Sequence, residues 1–408
     1  ANYGFQSRLS SSGLLHRAVE EVKQFLDGDQ NQPAFDRVAL RLYGAFPKQR
    51  NGQYLHEHWE QGNLLVNHIV ALNKRYLNTS LSPQISPTFY YIRLLSNCAW
   101  FLYEKGNYHE AQTILVGGLD ACEQLKLVSK SPEIDIIHAH MLNTSAILDD
   151  CGGRFDSQIE KLKEVLEIRK RVLPQDHEEI SGVLNNLCLA YESAMQFQEA
   201  LEYREKSLEV CRKHPKSMSR ETKIQKRELV YSRLLLAMGQ LEEAKKLFPG
   251  LSRYFEIIQN WYFIGHLYII MGNYHFAKRN FQSSQRCFLH ALKQYEEVGK
   301  ATDHPQAAAC LYKIGRVALE EGDLDKAIEK FREAIKRLQL IDPMNPQIGR
   351  INFMLGKALK RTGGDHTDEI GKLEKEIQVI VQRLRPQQDL SAEITEALLD
   401  SLVDGIIR

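Results

Sequence analysis

Apolar residues run along this chain at helical spacing, in stretches that come in pairs joined by short turns of glycine, a polar residue and an aromatic or leucine. The turns Gly106-Asn107-Tyr108, Gly153-Arg154-Phe155, Gly239-Gln240-Leu241 and Gly322-Asp323-Leu324 each close one helical pattern and open another. Glycine suits the left-handed residue that ends a helix. Within each pair, a small residue in the first helix is followed twelve positions later by a small residue in the second. The clear pairs are Ala99/Ala111, Cys188/Ala200, Ser232/Ala244, Gly272/Ser284 and Gly315/Ala327, with weaker copies at Ala146/Gln158 and Gly356/Asp368. Their first members (99, 146, 188, 232, 272, 315, 356) are 47, 42, 44, 40, 43 and 41 residues apart, which is a period.

Where two helices of a hairpin cross closely, a residue with little or no side chain on each lets the backbones approach. Leu115, Phe248, Phe288 and Phe331, each four positions beyond the second small residue, are placed to seal the gap to the next hairpin. A single hairpin cannot bury its own apolar face, so the units must stack, with the first helices forming an inner wall. The pattern predicts an all-α solenoid of antiparallel helix hairpins. It divides the chain into a helical N-terminal region (1–90), seven repeats (91–384) and a C-terminal amphipathic helix (385–408). In that last region Ile394, Leu398, Leu402 and Ile406 recur at fourfold spacing and are expected to cap the final hairpin. An irregular all-α domain would leave the twelve-residue offset unexplained.

The unit resembles the tetratricopeptide repeat, most clearly over Tyr268–Ala291 and Leu311–Ala334. That resemblance implies a right-handed superhelix. The period, near 42 rather than 34, is similar to the longer repeat of kinesin light chains. So are Leu184-Asn185-Asn186-Leu187, opening a first helix, and the stretch Leu166–His177, closing a second helix and its loop. The first ninety residues differ. Leu15-His16-Arg17-Ala18-Val19, Ala39–Pro47 and the stretch from Trp59 to Leu72 resemble the winged-helix junction that precedes the repeats of signal-transducing ATPases of the STAND/NLR type. This second resemblance implies the sensor half of such a regulator, although no G-x-x-x-x-G-K-[ST] nucleotide loop occurs in the 408 residues.

Charge narrows the partners. Fifty-three Lys and Arg against 52 Asp and Glu leave a formal +1, so no global field favours nucleic acid or an anionic membrane surface. No apolar run approaches the roughly 20 residues that span a bilayer, and no basic-then-apolar leader opens the chain, so a cytoplasmic setting is expected. The seven cysteines are odd in number and dispersed, as in a reduced protein.

Candidate chemistry is sparse. His56-Glu57-His58 and His138-Ala139-His140 put imidazoles at i and i+2, which point apart on a helix, so no metal site is expected. Cys188 and Cys310 stand where other repeats carry Gly, Ala or Ser, and packing accounts for them. No catalytic residue and no cofactor is assigned.

The inner wall is more informative. Asn97, Asn143, Asn185 and Asn186 stand just before the small residue of three successive first helices, where a row of amides could pair with the backbone of an extended peptide. The light-chain-like resemblance implies that use; satisfaction by neighbouring helices is the plainer alternative. Further along, Arg233, Lys313, Arg316, Arg350 and Lys357 fall within one turn of the small residues of later first helices. They form either a solvated face or a surface for acidic ligands. The expected function is therefore a non-catalytic scaffold that captures a peptide or protein segment. A ligand-sensing regulator domain and an enzyme with its site inside the superhelix are the alternatives.

Overall fold

A computed structural model describes residues 17–28, 31–49, 55, 58–78, 85–298, 304–389 and 393–405. Among them every regular element is helical. Residues 17–27 form α1, followed by α2 (Gln32–Ala45) and α3 (Trp59–Leu77). Then come α4 (Phe89–Glu104), α5 (Tyr108–Val128), α6 (Pro132–Cys151), α7 (Phe155–Val172), α8 (Glu178–Ser193) and α9 (Phe197–Lys213). The series continues with α10 (Met218–Ala237), α11 (Leu241–Ile257), α12 (Trp261–Ala277), α13 (Phe281–Lys293), α14 (Pro305–Glu321) and α15 (Leu324–Ile341). It closes with α16 (Pro346–Thr362), α17 (Thr367–Leu384) and α18 (Glu396–Asp400). This is the all-helical, tetratricopeptide-like solenoid of hairpins that the period predicts.

The helix ends follow from local chemistry. Thr88, Asn260, Asn280 and Asp323 each accept a hydrogen bond from the backbone N–H three residues on, satisfying a donor the helix cannot. α14 and α16 begin alike, with His304 or Asn345 as the cap and proline in the first helical position, where its missing N–H costs nothing. The predicted turn glycines Gly106, Gly153, Gly239 and Gly322 all have φ near +70 to +83°.

The chain divides into two compact units: residues 1–148 with 167–172, and residues 149–166 with 173–408. In the first unit a buried aromatic group (Phe35, Tyr76, Tyr91) surrounds Asn73, whose amide donates to the Thr113 carbonyl at 3.0 Å and accepts from the Tyr91 hydroxyl at 2.9 Å. His56 and Glu57 lie outside the described residues, and His58 precedes α3.

In the second unit the small-residue pairs do what their spacing predicts. The Ser284 hydroxyl donates to the Gly272 carbonyl at 2.9 Å, twelve residues away, fixing one crossing. At another, a Cβ on Gly315 would lie 2.7 Å from the Phe331 ring and 3.3 Å from the Ala327 carbonyl. The weaker pair is loose: Gly356 has open space where a Cβ would go, and Asp368 is exposed.

The last described segment departs from the predicted helix. Only Glu396–Asp400 is helical, capped by Thr395, and Ile406 lies outside the described residues. Leu399 and Leu402 do pack on Ile377 and Val381 of α17, but the segment does not end on that hairpin. Val403 is buried against Ala309 of α14, and the Gly405 N–H donates to Ser193 Oγ at the end of α8, at 3.0 Å. Residues 393–405 thus return along the first-helix wall of their own unit, and we call them the return segment.

Candidate functional site

Four of the five predicted wall cations converge on the return segment. Tyr312 of α14, almost fully buried, organises two of them: its hydroxyl accepts from Arg316 Nη1 at 3.0 Å, and its ring lies 4.3 Å beneath the Arg350 guanidinium. Arg316 Nη1 reaches Glu396 Oε1 at 2.7 Å, and Lys357 Nζ reaches the other oxygen of the same carboxylate at 3.1 Å. Arg350, 1 % exposed, reaches Asp400 Oδ1 at 3.3 Å. Burial, reinforced by repulsion from Arg350 and Arg316, pushes Lys313 well below its ordinary value, while Asp400 pulls the other way. Cations this close are held at a cost unless anions sit among them, and Glu396 and Asp400 supply those anions.

The fifth cation is differently placed. Arg233 of α10 is buried and gives both Nε and Nη2 to the Glu192 carboxylate of α8, at 2.5 and 2.6 Å, a two-point ion pair shut away from water. Around it gather Asp150 at the end of α6 and Asp404 of the return segment. Three carboxylates therefore share one guanidinium. The Ser193 hydroxyl bridges the group, hydrogen-bonding to Asp150 while accepting from Gly405. The other oxygen of Asp150, Oδ1, is buried with no partner.

Burial first, then the charge of Asp404, hold the Asp150 carboxyl well above the usual range, against the opposing pull of Ser193 and Arg233. A consequence for pH follows. The unfolded chain releases this proton near the ordinary value of about 3.9, whereas the folded protein keeps it to higher pH. The folded state is unpenalised below that value and loses stability as pH rises towards the native pKa. Asp150→Asn, which cannot ionise, is expected to melt with the wild type at pH 3 and above it at pH 8. A difference that does not vary with pH would place the effect elsewhere. Glu192, Arg233, Ser193 and Asp404 face the same group, and His266 of α12 is held neutral by burial, with Arg233 adding to the effect.

The four asparagines are divided between the two units. Asn97 and Asn143 belong to the first unit, and Asn185 and Asn186 to the second. Asn97 is committed within its own unit, accepting from the Gln49 N–H at 2.8 Å and donating to the Arg93 carbonyl at 2.6 Å. Asn185 and Asn186 lie half-buried on α8.

Sequence reasoning missed the acidic partners. Glu396, Asp400 and Asp404 recur every four residues, on a register beside the aliphatic one, so the signal was available. All seven cysteines are free thiols, and burial pushes Cys188 up to about 12 and Cys310 higher still, far from a nucleophile's range. Among the described residues no group of three His, Cys, Asp or Glu is arranged to hold a metal, and no helix is long and apolar enough to cross a membrane.

Residues 263–339, from α12 into α15, match the tetratricopeptide repeat family. Comparison by sequence with curated proteins gives no match. Among solved structures, NprR in complex with its cognate peptide NprX is similar at 15% identity, over 82% of this chain and 95% of that one, with a TM-score of 0.53. A Rap protein complexed with competence and sporulation factor is similar at 13% identity, over 93% and 99%, with a TM-score of 0.51. A Podosopora anserina putative kinesin light chain with TPR-like repeats shares 18% identity over 48% of this chain and 93% of its own, at a TM-score of 0.35. At these identities the first two likenesses establish the fold.

Proposed function

We propose that the first-helix wall of the second unit is a binding surface for an acidic peptide or protein segment, and that the protein acts as a non-catalytic scaffold or regulator. The observation that supports this is the pairing of Arg316, Arg350 and Lys357 with Glu396 and Asp400, continued by Asp404 towards Arg233. The wall already accepts an acidic segment in this register. Lys313, Arg316, Arg350 and Lys357 supply the charge. Asn185 and Asn186 supply amides for the ligand backbone nearer α8, with Asn143 a further candidate in the other unit. Asn97, whose amide is engaged by Gln49 and Arg93, drops out of the proposed contact set. NprR, similar in fold and solved in complex with its cognate peptide, is consistent with such a role for this fold.

The two kinds of contact separate by salt. Attraction between exposed charges is screened over about 8 Å at physiological ionic strength, whereas an amide pairing is not. The test uses a labelled synthetic peptide of residues 393–405 and a full chain carrying E396Q/D400N/D404N, so that the protein's own acids do not compete for the wall. Adding Arg316→Ala and Arg350→Ala is expected to weaken the peptide at least tenfold at low salt, about 1.4 kcal/mol, and to flatten the salt dependence of association. Adding Asn185→Ala and Asn186→Ala instead should lower affinity by a similar factor at every salt concentration. Unchanged binding in the arginine variant, with its helical spectrum intact, would remove the wall as the site.

A further inference from the structure

We propose that the return segment is a displaceable internal ligand: residues 393–405 occupy the wall that captures acidic segments, and they must leave before an external one can bind. This rests on the function proposed above and specifies both its regulation and its ligand.

Seating and release are both built into the contacts. Of three acids at four-residue steps, Glu396 meets cations of α14 and α16, Asp400 meets Arg350 of α16 and Asp404 faces Arg233 of α10, and Leu399, Leu402 and Val403 between them are buried. The ion pairs are only half sealed. The Glu396 and Asp400 side chains are 30 % and 32 % exposed and Lys357 is 47 % exposed, so water and a competing carboxylate both have access. Such partly solvated pairs are worth little individually.

The far end is poorer still. Arg233 already gives two hydrogen bonds to Glu192, so Asp404 shares this cation with Glu192 and faces two further carboxyl groups. Its departure leaves the Glu192–Arg233 pair whole and relieves the repulsion on Asp150. What holds the segment is its buried aliphatic residues, Leu399, Leu402 and Val403, together with its tether. A short connection from α17 keeps the local concentration of the segment high, typically in the millimolar range for short flexible linkers. A free peptide must exceed that threshold, or bind better.

The competing ligand is defined by the same contacts: a peptide with carboxylates at i, i+4 and i+8, an aliphatic pair between the second and third, and a first turn able to become helical. A cavity of about 250 Å³ opens beside the start of the segment, lined by Asn352, Phe353, Lys357, Ile377 and Ile394. It gives such a ligand room for a larger apolar residue than this chain carries there.

The experiment uses the labelled peptide of residues 393–405 as probe, with wild-type full chain and the E396Q/D400N/D404N full chain compared by fluorescence anisotropy. The neutralised chain is expected to bind the probe at least tenfold more tightly than wild type, and a probe with lysine in the three acidic positions to bind neither. Hydrogen exchange on the wild type is the second readout, independent of how the variant folds. As the probe saturates, amides of 393–405 should lose protection while those of α14 and α16 keep theirs. Equal affinity for both chains, with the segment still protected at saturation, overturns the internal-ligand proposal and leaves the acidic-segment site standing. A probe that binds neither chain removes both.

Discussion

Arg233→Met is expected to be among the most damaging single substitutions in this protein, lowering stability by about 3–5 kcal/mol. The arginine is 8 % exposed and is the cation for Glu192, Asp150 and Asp404 together. Removing it leaves the Glu192 carboxylate buried without a counter-ion and takes away the cation that opposes the repulsion among Glu192, Asp404 and Asp150. Glu192→Gln should cost less, because Arg233 keeps the charge of Asp404 facing it. The order of the two distinguishes a shared cation from a simple pair, in which either deletion hurts alike. Urea denaturation at pH 7 measures both. A deficit below about 1 kcal/mol would show that water reaches the cluster freely.

The second large effect is steric. A Cβ on Gly272 would lie 2.4 and 2.6 Å from two carbons of the Phe288 ring, and Phe288 is itself 1 % exposed, so the ring has nowhere to swing. Gly272→Leu is expected to cost about 1–3 kcal/mol or more, as overpacking does. Gly356→Ala is the control. The same helical environment there has nothing within 4 Å of the added methyl, and replacing a mid-helix glycine should stabilise by about 0.5–1 kcal/mol. Opposite shifts of the two denaturation midpoints are expected; a neutral Gly272→Leu would mean that α12 and α13 cross less closely than described.

The hairpins were legible because their determinants are local. Twelve residues separate Gly272 from Ser284, and the hydrogen bond between them spans one turn. Even so, the turns were only partly readable. Met195, Gln259 and Arg279 adopt the left-handed conformation that glycine takes in the other turns, and no side-chain preference announces them. The charged wall was legible in the same local sense, since Arg316 and Arg350 keep step with the small residues of their helices. Its occupant was not. The aliphatic register of 394–406 invited a cap, and nothing local says that Glu396 belongs beside Arg316 or Gly405 beside Ser193. The setting of Asn97 was hidden for the same reason: it is engaged by the backbone of Gln49, 48 residues earlier and outside any repeat.

The Gly405–Ser193 hydrogen bond joins residues 212 apart, in a fold whose hairpins otherwise meet their sequence neighbours. A linear array of that kind has low contact order, and its units can come apart one at a time from either end. The return segment turns the stretch from α8 to α17 into a closed ring, so that opening any one hairpin strains a bond at the other end. With the segment seated, this stretch is expected to melt as one cooperative body. Under the displacement proposed above, the same helices would regain the freedom to fray singly, and the proposed capture of a partner would loosen the scaffold in the same event.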